Sequence, residues 1–308
     1  MKFGVREICD VVFKAKSSGT MGKYTYSVGQ PVLYIDTAKT STIEGAATTV
    51  YATGGKGNSR LIAWEGERTL TFTVEDALLS PIGFAILSGA GLLNAKDSAP
   101  IRVHTTANAG MSVDAEGNVT INLNDALGAD EKIDKESPVF VMVAEADGSL
   151  SGDVVTGLST SEDGKSLTGK GTLISKETIK SCNVFVDFYI EKTAGVQELV
   201  IDASNFGGYY YVEGSTLFRR QIDGKDLPAE IVFPNVKVQS NFTFTMASSG
   251  DPSTFTFTMD AFPGYTMFDN KKKVLCAIQI IDDEVNADEN KMTDSTPDED
   301  ETDAVSVN

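Results

Sequence analysis

The stretch NFTFTMASSGDPSTFTFTMDAFPGY, Asn241 to Tyr265, constrains this chain more than any other. Phe242, Phe244 and Met246 alternate with threonines, and Phe255, Phe257 and Met259 do the same after a short Gly-Asp-Pro turn. A period of two puts the large side chains on one face of a strand and the hydroxyls on the other. The two runs mirror each other, so the spacing predicts a long hairpin in which aromatics face aromatics. Strands of this kind build an extended sheet. They do not gather the polar cluster that catalysis needs.

The 308 residues are enough for two separate cores. Sixteen phenylalanines, nine tyrosines and the threonine alternation favour β structure throughout. No apolar run approaches a membrane span. The N-terminus MKFGVREICDVVF carries charges at Lys2, Arg6, Glu7 and Asp10, so no secretory segment is expected and assembly in cytoplasm is. Cys9, Cys182 and Cys276 lack metal-ligand spacing and are expected to be buried free thiols. His104 stands alone, so neither a zinc site nor a His-dependent triad is expected, and a strand surface is its predicted place. The net charge of −18 and pI near 4.4 exclude nucleic-acid binding by phosphate neutralisation.

Along the chain, VVFKAK (11–16) and PVLYID (31–36) read as short strands, and AATTVYATGGKGNSRL (46–61) as a strand entering a glycine-rich loop. In LIAWEGERTLTFTVED (61–76), Leu70, Phe72 and Val74 point one way and Thr69, Thr71 and Thr73 the other. A short helix follows, with Ser80 as N-cap, Pro81 at its first position and Gly89 at its end. From Asp97 to about Lys192 the strands NVTINL, PVFVMVAEADG, KSLTGKGTLI and NVFVDFYIEK alternate with polar turns, predicting an inserted small β-sandwich for which an Ig-like topology is one expectation. The first style resumes afterwards and ends in KVLCAIQI, read as a final buried strand. The expected organisation is a discontinuous domain, 1–96 with 194–282, interrupted by a module at 97–193 and followed by a disordered acidic tail at 283–308. From Asp282 onward there are 11 acidic residues and one lysine, more than half of the net charge. Mutual repulsion of such tails is one expected brake on premature self-association.

Several motifs imitate chemistry. TGGKGNSR (53–60) lacks the first glycine of a phosphate loop, since position 50 is Val50, and Lys56 is followed by Gly57. The better reading is a loop that orders against a neighbour. In WEGER (64–68), Trp64 beside Arg68 fits an aromatic at a subunit contact better than intramolecular packing or a substrate platform. Asn118-Val119-Thr120 and Asn241-Phe242-Thr243 match the glycosylation triplet by chance. No activated nucleophile, cofactor site or metal site is apparent, and a non-enzyme is expected.

Two stretches resemble a known family. VYATGGKGNSRLIAWEGERTLTFTVEDALLSPIGFAILSGAG (50–91) looks like the first half of the major tail tube proteins of contractile-tailed (myovirus-type) bacteriophages. GYYYVEGSTLFRRQIDGKDLPAEIVFPNVKVQSNFTFTMASSGDPSTFTFTMDAFPG (208–264) is similar to the second half. The resemblance implies a mainly β, tail-tube-type sandwich or barrel with one short helix. It implies self-assembly into hexameric rings stacked head to tail, forming the inner tube of the virion tail. Duplex DNA would pass through without specific binding, and sheath, baseplate and terminator proteins would be the partners. Ring or stacking contacts are then expected at Gly54, Gly55, Lys56, Gly57, Asn58, Trp64, Arg68, Gly250, Asp251 and Pro252, and Thr254, Thr256 and Thr258 are candidates to face the lumen. The alternative classes are a head decoration or baseplate protein, a surface-adhesive β-sandwich and a glycan-active enzyme.

Overall fold

The computed structural model describes residues 2–282 except 146, 244, 247 and 250–252. The chain opens with β1 (Phe3–Val5) and β2 (Asp10–Ala15), a small hairpin of β3 (Gly19–Met21) and β4 (Tyr24–Tyr26), then β5 (Pro31–Ile35). Two very long strands follow, β6 (Ala38–Gly54) and β7 (Ser59–Asp76), then α1 (Pro81–Ser88) and β8 (Gly91–Asn94). The middle third holds β9 (Ile101–Val113), β10 (Asn118–Asn122), β11 (Lys132–Ile133), β12 (Phe140–Ala144), β13 (Leu150–Thr156), β14 (Ser159–Thr160), β15 (Ser166–Lys170), β16 (Thr172–Leu173) and β17 (Cys182–Lys192). The last third holds β18 (Gln197–Val200), β19 (Tyr209–Arg220), β20 (Asp226–Val238), β21 (Phe255–Ala261) and β22 (Ala277–Ile280).

The first and last thirds share one antiparallel sheet in the order β5-β2-β19-β20-β21-β7-β6. Only Asp36 and Thr37 separate β5 from β6, so the two ends of that order are one strand bent at a corner. The corner is tied down where the Thr37 hydroxyl donates to the buried Asp76 carboxylate at 2.5 Å. Nearby, the Cys9 amide donates to Ser41 Oγ at 3.1 Å, joining the start of β2 to β6. The sheet therefore curls into a barrel. Its interior takes the alternate residues of each strand: Val11 and Phe13, Phe72 and Val74, Val236 and Val238, Phe255, Phe257 and Met259. Phe72 stacks on Phe233 at 4.8 Å between ring centroids, and Phe13 meets Phe257 across the interior at 6.0 Å. Burying each such side chain contributes about 1.5–3 kcal/mol.

Helix α1 closes this core with Ile86 and Leu87. Its ends follow the sequence signals. Ser80 Oγ accepts from the Gly83 amide at 2.9 Å, Pro81 begins the helix, and Gly89 ends it at φ +71. At Gly89 a Cβ would lie 2.4 Å from the Phe206 carbonyl carbon, so glycine serves both backbone conformation and close approach.

The middle third forms its own sheet, β14-β15-β10-β9-β17-β12-β13-β16, with β11 beside β17, around a separate core of Val119, Ile121, Val141, Leu167, Val184, Val186 and Phe188. Here too the ends of the order coincide. β13 runs into β14 and β15 into β16, so a single bent hairpin attaches to β12 with one half and to β10 with the other. Gly157 makes the bend at φ +82, where a Cβ would stand 2.5 Å from the Lys170 carbonyl oxygen. The chain enters and leaves this second barrel through a two-stranded stem, β8 paired with β18.

Three expectations are corrected. The described residues of the 241–246 run form no strand. β21 instead pairs with β20, Met259 opposite Val238, and from Phe255 to Asp260 with β7. Phe242 packs edge-on against Phe84 of the helix, and Met246 is exposed. The seat foreseen for the first arm is taken by residues 236–238, which continue a strand already anchored to β19. The final strand is also not buried: β22 is an edge strand on β20, and Ile278 is 53% exposed. Cys9 is buried as expected, whereas Cys182 and Cys276 are only half-buried.

Candidate self-assembly surfaces

The longest feature of the molecule is an arm. Beyond Gly45 and Leu70, β6 and β7 leave the barrel and pair only with each other. Residues 42–51 and 55–69 are all exposed. Val50 stands opposite Trp64 and Ala52 opposite Ile62, so one face of the arm carries an apolar stripe. Val50, Ile62 and Trp64 are each more than half exposed. An isolated two-stranded ribbon is marginal in water, and clustered exposed apolar side chains mark an interaction surface. Irregularities between Ala47 and Thr49, and between Ala52 and Thr53, add twist to the ribbon.

At the tip, the Asn58 amide donates to the Gly55 carbonyl at 3.2 Å. Gly55, Gly57 and Asn58 take positive φ, which suits a tight turn that continues the strand twist. Arg60 lies over the Tyr51 ring, 4.0 Å from its centroid, and Lys56 is exposed. Arg68 and Glu65 approach to 4.0 Å, both largely solvated, so this pair adds little. Gly54, Gly55, Lys56, Gly57, Asn58, Trp64 and Arg68 thus all belong to this one arm. Gly250, Asp251 and Pro252 lie outside the described residues, as does the acidic tail at 283–308.

A second surface covers the outer face of the first barrel. Register places Thr40, Glu75 and Thr256 in one row across β6, β7 and β21, Thr42, Thr73 and Thr258 in the next, and Glu44, Thr71 and Asp260 in a third. Lys237 extends that third row on β20. Thr254 precedes β21 on the same side and donates to Glu75 at 2.6 Å, while Gln239 donates to Asp260 at 3.0 Å. The result is a belt of hydroxyls and carboxylates with a single lysine in its rows. The three candidate threonines sit at its edge, and β6 and β7 supply most of it. Threonine alternation in KTSTIE and RTLTFTVED was the available signal, but only pairing shows that the runs are neighbours.

The third surface is the far end of the β19–β20 hairpin. β1 flanks β19 beyond β2, and β22 flanks β20 beyond β21, giving a four-stranded extension whose outer strands have no further strand partner among the described residues. Arg220, 5% exposed, donates to Asp223 at 3.0 Å and to Asp282 at 2.7 Å. Its hydrogen bonds pull the Asp223 carboxyl down to about 2. Arg219 grips Asp226 with two bonds of 2.6 and 2.5 Å. Sequence reading passed over these arginines, because an Arg-Arg pair in a strand carries no sign of which carboxylates will meet it.

His104 lies exposed on β9 with Nε2 2.9 Å from Asp187. Among the described residues no group of three or more His, Cys, Asp or Glu is arranged to hold a metal ion. No described helix is long and apolar enough to cross a membrane. What the surfaces offer is pairing, apolar burial and charge.

The sequence model of the YomU/Tube protein family matches residues 4–275, from β1 through both barrels almost to β22. The chain belongs to the YomU/Tube protein family. No curated protein matches it. The YomU/Tube assignment supports a tube-type structural protein, and its span includes the middle barrel as well as the first.

Proposed function

We propose that this YomU/Tube family member is a major tail tube subunit of a contractile-tailed bacteriophage, self-assembling into hexameric rings that stack head to tail. The observation that carries the reading is the arm: an apolar stripe on a ribbon that its own chain leaves uncovered. A neighbouring copy supplies the missing cover. The open strands β1 and β22 allow sheets of adjacent copies to pair within a ring and so remove their edges. Unlike patches on one chain give the heterologous contact that stacks without closing.

The threonine and carboxylate belt, including Thr254, Thr256 and Thr258, is assigned to the lumen. Duplex DNA slides past such a surface, because repulsion from Glu44, Glu75 and Asp260 replaces the counterion release that would bind it. The barrel within 97–193 is placed outside the tube, towards sheath and solvent, with the sheath, baseplate and terminator proteins as partners in a virion assembled in host cytoplasm. Negative-stain electron microscopy of purified protein across concentration and salt tests the proposal. Hollow tubes or six-fold rings with a bore of about 20 Å or more are expected. Dispersed monomers under every condition would overturn it, and a lysine-lined bore would overturn the lumen assignment.

A further inference from the structure

A head-to-tail stack needs two unlike surfaces on each copy that fit one another. One is the stripe of Val50, Ile62 and Trp64, with Glu67 following on the same strand. Glu67 has no ion-pair partner among the described residues. The other must offer an apolar floor, room for a side chain and positive charge.

The β1–β19 junction offers all three. Gly4, Arg6, Leu217 and Arg219 line a groove of about 680 Å³ there, together with Glu7 and with Asp226, which Arg219 holds. Leu217, on the same face as Gly4 and Arg219, is 40% exposed, so the floor carries an uncovered apolar side chain. Gly4 stands opposite Arg219 in register, and a Cβ on Gly4 would touch nothing within 4 Å, which leaves space for an aromatic ring. Arg6 at the rim has no ion-pair partner among the described residues, in a chain whose net charge is −18. The comparable groove of the middle barrel, near Phe140 and Ile174, is also apolar. Its cation, Lys135, already donates to the Glu162 carbonyl.

We propose that the arm of one copy seats in the β1–β19 groove of a second copy, with Trp64 against Leu217 and Glu67 against Arg6. The pairing rests on the tube reading and names the surface that receives the arm. It also gives a role to Glu67, since a carboxylate meeting an unpaired arginine at the rim fixes register as well as sign.

Cross-linking tests it. Trp64→Cys protein mixed with Leu217→Cys protein is treated with a short bismaleimide, each single variant alone giving the background from the native cysteines. A dimer in the mixture, and a ladder from the doubly substituted chain, is the expected result. Assembly without that cross-link, or a stronger one when Ile174→Cys replaces Leu217→Cys, would overturn the pairing. In a second arm of the experiment, Glu67→Arg should raise the concentration needed for half-maximal assembly about tenfold or more, and adding Arg6→Glu should restore it. No change with the first substitution, or no rescue by the second, counts against the pairing. If the unsubstituted protein sediments as a monomer throughout, the tube reading itself falls, and this pairing falls with it.

Discussion

The two barrels close by the same device and differ in what they leave outside. In each, the strands at the two ends of the order belong to one bent segment, at Asp36–Thr37 in the first barrel and at Gly157 in the second. The middle barrel keeps its strands within the closed sheet. The first barrel lets β6 and β7 run on into an exposed arm and lets β19 and β20 run on between two open neighbours. Closing a sheet removes the edges that invite pairing with other chains. The first barrel thus keeps, at the surface, the features that the middle barrel removes.

The sharpest way to break this comparison is to damage each core separately. Phe72→Ala removes the ring stacked on Phe233, and Phe188→Ala empties the centre of the middle core. Each should cost about 3–5 kcal/mol. In calorimetry each substitution is expected to lower its own transition and leave the other in place. One shared transition lowered by both would show that the cores unfold together.

Gly157→Ala comes next. The left-handed backbone and the Lys170 carbonyl both oppose a Cβ there, so about 2 kcal/mol or more should be lost from the middle barrel. Gly117→Ala, at φ +78 with open space around it, should cost less. Equal losses in denaturant titrations would mean that the close approach at Gly157 does not hold the bend.

On the arm the expectation reverses. Ile62→Asp should change the stability of the isolated subunit by no more than about 0.5 kcal/mol, because the side chain is already in water. The same substitution should abolish polymers in sedimentation, whereas loss of monomer stability would show that the stripe packs within its own chain.

The smallest effect concerns pH at the β19–β20 turn. Asp223 is held at about 2 by Arg220, below its unfolded value near 3.9. A depressed carboxylate contributes stability above the unfolded value and loses it as pH falls towards the folded one. Hydrogen exchange in this turn should therefore quicken between about pH 4 and pH 2. Asp223→Asn should flatten that dependence, and an unchanged profile would show that Asp282 alone holds Arg220.

Local signals carried much of the fold. Period-two alternation in RTLTFTVED identified a strand and its two faces, NVFVDFYIEK read as a strand, and Ser80, Pro81 and Gly89 marked the helix, because caps and pleats are properties of a few adjacent residues. β9 was foreseen only as the strand surface that carries His104: its inward positions include Thr105, Ala107 and Ala109, too small to stand out as a hydrophobic period. The glycine loop and Trp64 were singled out as surface features, yet their union on one arm depends on the pairing of β6 with β7.

The sequence by itself determined the β class, the helix ends, the acidic balance and the faces of the strongest strands, all of which follow from side-chain chemistry at short range. Only the tertiary structure decided which strands meet. It gave the place foreseen for Phe242 to β20, made β22 an edge, joined threonines from β6, β7 and β21 into one belt, and brought Arg220 to Asp282. Those outcomes depend on competition for partners between residues far apart in the chain. A period of two says which way a side chain points, but not which neighbour it will have.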